Sequence, residues 1–197
     1  MNSFARDFPI VCVGGSAGGS AAYAQLLKHL PLETGAAIVV VNHIRTTPAT
    51  LHEILPHSTK LPVELITEGL PIQPNHVFII PANRDLHLLD GTFRLRPISK
   101  PKGWPDVITV FLRSLAHNWD GKLVAVIVSG LDSDGAKALR EIKEVGGITI
   151  AQAPDRAEWS DMPASAIKTG YIDHILSIED IARKIAQIAN EFPGETT

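Results

Sequence analysis

The sequence predicts an α/β protein with a doubly wound, mainly parallel sheet, helices on both faces and an inserted β-hairpin. Three observations lead there. Short strand-like apolar runs alternate with segments of helical periodicity through most of the chain. Several helical segments carry their own start or stop signals. The first strand-like run, Ile10-Val11-Cys12-Val13, passes straight into a glycine turn, Gly14-Gly15-Ser16-Ala17-Gly18-Gly19, and then into a helical pattern.

In chain order, the first strand is expected over residues 9–13 and the first helix over 20–30, on the far side of the glycine turn. A strand over 37–42 follows. Thr47 before Pro48 supplies an N-cap and a first helical position, so a helix is expected over 48–55. Strands are expected over 62–66 and 76–81. Residues 86–96 then alternate around Asp90-Gly91, the signature of a β-hairpin, and read as an excursion rather than a second domain. A helix over 107–119 and a strand over 123–129 come next, then a helix over 136–145 stopped by Gly146-Gly147. The last elements are a strand over 148–152, a helix over 163–168, a strand over 172–176 and a helix over 178–191. Ser177 with Asp180 resembles a capping box at the entry of that last helix. No internal repeat, low-complexity segment or linker interrupts the pattern, and the tail after Phe192 is expected to fray. Residues 1–197 are therefore read as one domain with its core over about 9–188.

Composition excludes several classes of function. A chain of 197 residues can bury most of its apolar surface without staples. Its one cysteine, Cys12, lies inside the first strand and reads as a small buried hydrophobe, so no disulfide forms and a cytoplasmic setting is expected. The apolar runs are far too short to span a bilayer, and no basic region followed by a long apolar stretch opens the chain, so neither export nor membrane insertion is expected. With a net charge of −3 and scattered basic residues, no nucleic-acid surface is expected.

The glycine turn fits G-x-S-x-G, in which small neighbours let a strained turn project a serine hydroxyl above a sheet, with backbone N–H groups of the next helix facing the same space. Ser16 is thus either a nucleophile or part of a phosphate cradle. Ligands of open parallel sheets bind at the carboxyl ends of the strands. His43 closes the run 37–42, and Asp134 lies just beyond the strand 123–129, in Gly130-Leu131-Asp132-Ser133-Asp134-Gly135. If the three strands are parallel neighbours, Ser16, His43 and Asp134 meet at one sheet edge as nucleophile, base and orienter. Each has a plainer role available: Ser16 as a turn hydroxyl capping a helix, His43 as a structural strand-end residue, and Asp134 as a cap for the helix starting near Ala136. A dinucleotide reading fails because the loop does not satisfy G-x-G-x-x-G and the next strand ends in Asn42-His43 instead of an acidic ribose ligand. No Gly-Lys-Ser/Thr follows, which excludes a P-loop. Asp132, Asp134, Gly135 and Glu141 mimic part of a calcium loop, but Gly130 stands at its first ligand position and a strand precedes it. The other histidines, His29, His52, His57, His76, His87, His117 and His174, lack metal-ligand spacing and read as surface or structural groups, so neither a metal nor a cofactor is implied.

The segments 14–19, Asn42-His43 and 129–136 resemble the catalytic domain of the chemotaxis protein-glutamate methylesterases. Residues 74–86 are similar to the version of this domain found fused to receptor methyltransferases, and 111–116 and 162–167 also fit, so the resemblance covers about 9–188. It implies a serine hydrolase that demethylates glutamate methyl esters on the cytoplasmic helices of chemoreceptors, releasing methanol, with deamidation of glutamines as a further activity. Carried over by motif, Ser16 is the nucleophile, His43 the base and Asp134 the orienting acid. Backbone N–H groups at Ala17 and Leu131 are the oxyanion-hole candidates, and Gly15, Gly18, Gly130 and Asp132 shape the loops. Three departures stand out. Asp132 occupies a position where the family usually has glycine, and Leu131 one that is commonly Met or Thr. Around Gly103-Trp104-Pro105-Asp106-Val107 the usual pattern is altered, with Ile108 where an acidic residue is common. No phosphoacceptor receiver segment precedes the esterase-like region within the sequence: if the chain is complete, no attached receiver gates it, and if it belongs to a longer protein, the sequence does not say. The alternative to an enzyme is a non-catalytic regulatory or binding module that retains the fold; a serine esterase of different substrate range is a third reading.

Overall fold

The structure, a computed structural model, describes residues 8–43, 48–100 and 102–191. Thr47, expected as an N-cap, and the tail from Phe192 onward lie outside the described residues. Nine strands and six α-helices follow the predicted alternation among the described residues: β1 (Ile10–Gly15), α1 (Gly19–His29), β2 (Ala37–Asn42), α2 (Pro48–Ile54), β3 (Val63–Leu65), β4 (His76–Ile79), β5 (Arg84–Leu89), β6 (Thr92–Pro97), α3 (Val107–Asn118), β7 (Leu123–Ile127), α4 (Leu139–Glu144), β8 (Ile148–Gln152), α5 (Asp161–Lys168), β9 (His174–Leu176) and α6 (Ile178–Asn190).

Seven strands form one sheet in the order β3-β4-β2-β1-β7-β8-β9. Every pairing in it is parallel. Because successive side chains of a strand point to opposite faces, β1 divides its residues between two cores. Ile10 and Cys12 pack with Phe111, Leu115, Ile142 and Met162, on the face covered by α3, α4 and α5. Val11 and Val13 pack with Tyr23, Leu26, Ile181 and Ile185, on the face covered by α1 and α6. The chain winds from β1 outward through β2 and returns to β7 on the other side of β1, which makes the carboxyl end of β1 a topological switch point, the place where such sheets bind ligands.

The hairpin is β5 and β6, with Asp90 (φ 50°) and Gly91 (φ 71°) both in the left-handed region that a two-residue primed turn requires. It packs on α3, where the Leu88 N–H donates to Ser114 Oγ at 2.9 Å. Ser177 caps α6: its Oγ accepts from the Asp180 N–H (3.2 Å) and donates to the Asp180 carboxylate (2.9 Å). Most element ends fall within one or two residues of expectation, with β1 running on through Gly14 and Gly15, which the sequence placed in the turn; two helix starts differ in kind. The helix predicted over 136–145 is a 3-10 turn, Ala136–Ala138, followed by α4, because the preceding loop enters through Gly135 at φ 88° and tightens the first turn. Helix α5 starts at Asp161, not at 163, and keeps Pro163 within its first turn, where a missing N–H costs nothing.

Candidate active site

The register of β1 against β2 pairs Gly15 with Asn42, so Ser16 and His43 are the next residues on two neighbouring parallel strands. The His43 N–H donates to the Gly15 carbonyl (2.9 Å), extending the ladder by one step and fixing where the imidazole begins. Across β7 the Ser16 N–H donates to the Ser129 carbonyl (3.0 Å). Glycine is required at position 15: a Cβ there would lie 2.6 Å from the Tyr23 hydroxyl and 2.8 Å from Val128. That close approach lets Tyr23 reach past the turn and donate to Asn42 Oδ1 (3.0 Å), bracing the ends of β1 and β2 from α1. Gly18 takes the left-handed conformation (φ 72°) that turns the loop into α1, and Gly130 leaves room for Met162 and Ser16, whose Cβ would lie 3.0 Å from an added methyl.

Ser16, His43 and Asp134 are all buried, and all lie at the carboxyl edge of the sheet. Asp134 Oδ2 stands 4.0 Å from His43 Nε2. That nitrogen instead makes a short hydrogen bond to the Pro105 carbonyl, which fixes the proton on Nε2 and leaves Nδ1 as the basic nitrogen. The Asp134 carboxylate is occupied by backbone donors: Ile108 N–H on Oδ2 (2.9 Å), with Thr109 N–H (2.9 Å) and Gly135 N–H (2.7 Å) on Oδ1. It therefore caps α3, not the 3-10 turn at Ala136, and holds in place the segment from which Pro105 reaches His43. Burial pushes the Asp134 carboxyl upward; the Ile108 and Thr109 donors and nearby His43 pull against that shift.

Asp132 is the carboxylate nearest the ring. Its Oδ2 lies 3.1 Å from His43 Nδ1, out of line for a hydrogen bond, so neither atom has a hydrogen-bond partner. Its Oδ1 accepts the Asp134 N–H (2.6 Å), an Asx turn that holds Asp132 at φ 91°. Ser16 Oγ is not hydrogen-bonded to either ring nitrogen. Without substrate, catalytic hydrogen bonds are often long and close on binding. Of the backbone donors, the N–H groups of Ala17 and Leu131 make no hydrogen bond among the described residues, which leaves both available to a developing oxyanion. Among the described residues, no group of three or more His, Cys, Asp or Glu is placed to hold a metal.

The CheB methylesterase family model matches residues 11–185, from the second residue of β1 to the middle of α6. The chain belongs to the CheB methylesterase family. It is 35% identical over 181 residues, 91% of its length, to protein-glutamate methylesterase/protein-glutamine glutaminase 3 of Pseudomonas aeruginosa, and the match covers 54% of that protein. With protein-glutamate methylesterase/protein-glutamine glutaminase 1 of Pseudomonas fluorescens it shares 34% identity over 190 residues, 95% of this chain and 56% of the relative. The chain thus spans about half the length of these two curated relatives. The crystal structure of the Thermotoga maritima CheB methylesterase catalytic domain superposes with a TM-score of 0.85 at 28% identity, covering 92% of this chain and 98% of that one. The fold and the family expected from the motifs are those found. The parallel sheet with its hairpin is the CheB methylesterase catalytic fold.

Several groups at the edge carry contacts that motif reading did not assign. Pro105 supplies the carbonyl on Nε2. Trp104 stacks on His43, with ring centroids 5.9 Å apart and planes 12° from parallel. Ser129 staples two loops: its Oγ donates to the Ala17 carbonyl (2.8 Å) and accepts from the Trp159 N–H (2.9 Å). The available signal was an aromatic beside a proline in a polar loop, Gly103-Trp104-Pro105. A small pocket opens beside the His43 ring between Asn42, Asn83, Arg84 and Pro105.

Proposed function

We propose that this chain is a protein-glutamate methylesterase that hydrolyses glutamate γ-methyl esters on the cytoplasmic helices of chemoreceptors, with Ser16 as nucleophile, His43 as base and Asp134 as the acid that orients it. The observation that carries the reading is the family match over 11–185, which spans all three strand ends bearing these residues. Residues 9–188 act as one catalytic unit, in the cytoplasm where that substrate lies; no helix among the described residues is long and apolar enough to cross a membrane.

In the first step His43 Nδ1 takes the Ser16 proton as Oγ bonds to the ester carbonyl carbon, and the carbonyl oxygen becomes an oxyanion facing the N–H groups of Ala17 and Leu131. Each such donor is worth about 10²–10³ in rate. The imidazolium formed is held at Nε2 by the Pro105 carbonyl and stabilised by the Asp134 charge at 4.0 Å. Collapse breaks the bond to the methoxy oxygen, which takes the Nδ1 proton and leaves as methanol. Water then gives one proton to Nδ1 and attacks the glutamyl-serine ester; collapse breaks the bond to Ser16 Oγ, which takes the Nδ1 proton, and the glutamate leaves as its acid, losing the second proton to solvent. A glutamine side chain enters the same cycle with ammonia as leaving group.

The test is methanol release from a receptor cytoplasmic fragment carrying labelled methyl esters. The wild-type protein is expected to release labelled methanol and Ser16→Ala none above the spontaneous rate. Folded wild-type protein that releases none would overturn the reading.

A further inference from the structure

Two of the chain's three tryptophans are exposed, and both belong to the rim of this site: Trp104 is 71% exposed and Trp159 45%, while Trp119 is buried. Trp104 lies over His43, at the end of β2. Trp159 follows β8, and its backbone is tied to the end of β7, because its N–H donates to Ser129 Oγ (2.9 Å) and its carbonyl accepts from the Gly130 N–H (3.0 Å). Leu131, also exposed, follows Gly130. Large aromatics left in water on either flank of a buried reactive pair are the anchors expected of a binding surface.

We propose that Trp104 and Trp159 clamp a helical protein segment whose ester-bearing residue enters between them, each tryptophan receiving an apolar side chain one turn before or after that residue. The inference rests on the reading of Ser16 as nucleophile toward a protein-borne ester and adds what must flank the ester. The spacing selects the pattern. From β2 across β1 and β7 toward β8 is two to three strand spacings of about 4.8 Å, or about 10–14 Å. Positions i−4 and i+4 of an α-helix are about 12 Å apart and share one face with residue i. An extended segment could span the same distance. It would find no sheet edge to pair with, since strand ends and loops face the site, whereas a helix satisfies its own backbone. Asp132 and Glu158, which lies against Gly18, place two carboxylates near the tryptophans, which disfavours acidic flanking side chains, and the exposed indoles favour apolar ones.

The test uses Ser16→Ala, which removes turnover, and three helical peptides carrying one glutamate γ-methyl ester: leucines at i−4 and i+4, alanines there, or leucines at i−2 and i+2. Binding is read from the blue shift of tryptophan fluorescence. The first peptide is expected to bind about tenfold tighter than the alanine peptide. That preference should shrink in Trp104→Ala and Trp159→Ala and survive in Trp104→Phe. Equal binding of the leucine and alanine peptides, an unchanged preference in both alanine variants, or tighter binding of the i±2 peptide overturns the clamp. Hydrolysis of N-acetyl-glutamate γ-methyl ester amide by the wild type separates the two ideas. Flank preference without hydrolysis sinks the esterase reading alone, and hydrolysis without flank preference sinks the clamp alone.

Discussion

Asp132 Oδ2 lies 3.1 Å from His43 Nδ1, so the nitrogen proposed to take the Ser16 proton already has a carboxylate beside it, out of line for a hydrogen bond. With the ring proton held by Pro105, Nδ1 and Oδ2 are two acceptors in contact, so the carboxylate crowds the nitrogen that the proposed mechanism uses as base. In the proposed mechanism the same negative charge would oppose the oxyanion.

Asp132→Gly is therefore expected to raise turnover on a small methyl ester by up to about tenfold, equivalent to about 1.4 kcal/mol of barrier. Glycine accepts φ 91° without strain, but the hydrogen bond to the Asp134 N–H is lost, so the melting temperature should fall by about 2–4 °C. Matched rates and melting curves check this; turnover unchanged or lowered would make Asp132 a turn residue only.

Asp134 works mainly through backbone. Asp134→Ala leaves the Ile108 and Thr109 N–H donors without their acceptor, while the Gly135 N–H keeps Thr109 Oγ1 (2.9 Å), and it frees the Pro105 segment, so a loss of about 1–2 kcal/mol is expected. Turnover should fall by about 10²-fold, less than for His43→Ala, since the carboxylate acts on the ring at 4.0 Å and not through a hydrogen bond. Equal losses in the two variants would show direct coupling.

Gly15→Ala tests the turn itself. Its Cβ would meet the Tyr23 hydroxyl at 2.6 Å, Val128 at 2.8 Å and the Ser129 carbonyl at 3.1 Å, neighbours set in a packed core. The overpacking should cost about 1–3 kcal/mol and displace Ser16, so stability and turnover fall together. A variant as stable and active as wild type would mean that the turn is looser than its contacts imply.

The alternation of strands and helices, the hairpin at Asp90-Gly91 and the cap at Ser177 were legible because each is local: periodicity, a turn dipeptide, a residue and its partner three positions on. Ser16, His43 and Asp134 were legible as strand-end residues for the same reason, and parallel pairing brought them to one edge. What the sequence did not disclose is non-local. Asp134 caps a helix 26 residues earlier, and Pro105 reaches a histidine 62 positions away across a loop whose path depends on how α3 packs. The Asx turn of Asp132 is local, but its second oxygen meeting His43 required the register of β2 against β1.

A stability measurement probes the far edge of the sheet. Asp173 accepts from Lys143 Nζ (2.7 Å), the Thr149 N–H (2.9 Å) and Thr149 Oγ1 (3.0 Å), joining the start of β8 to the approach of β9. Burial raises its carboxyl, but Lys143 and Thr149 outweigh that and hold it below its ordinary value of 3.8. A depressed carboxyl stabilises the fold above its unfolded value, and that contribution is lost as pH falls through the folded one. Asp173→Asn should cost about 1 kcal/mol at neutral pH, with the gap closing below pH 3.8; a gap independent of pH would contradict the charge pairing.

The central claim is that Ser16 is a nucleophile activated by His43, and the most direct measurement is covalent capture. The folded protein is incubated with a fluorophosphonate and the modified peptide is located by mass spectrometry. We expect one adduct, on Ser16, none on Ser16→Ala, and labelling slowed by about 10²–10⁴-fold in folded His43→Ala. An unlabelled Ser16 in folded wild-type protein, or equal labelling rates with and without His43, would contradict it.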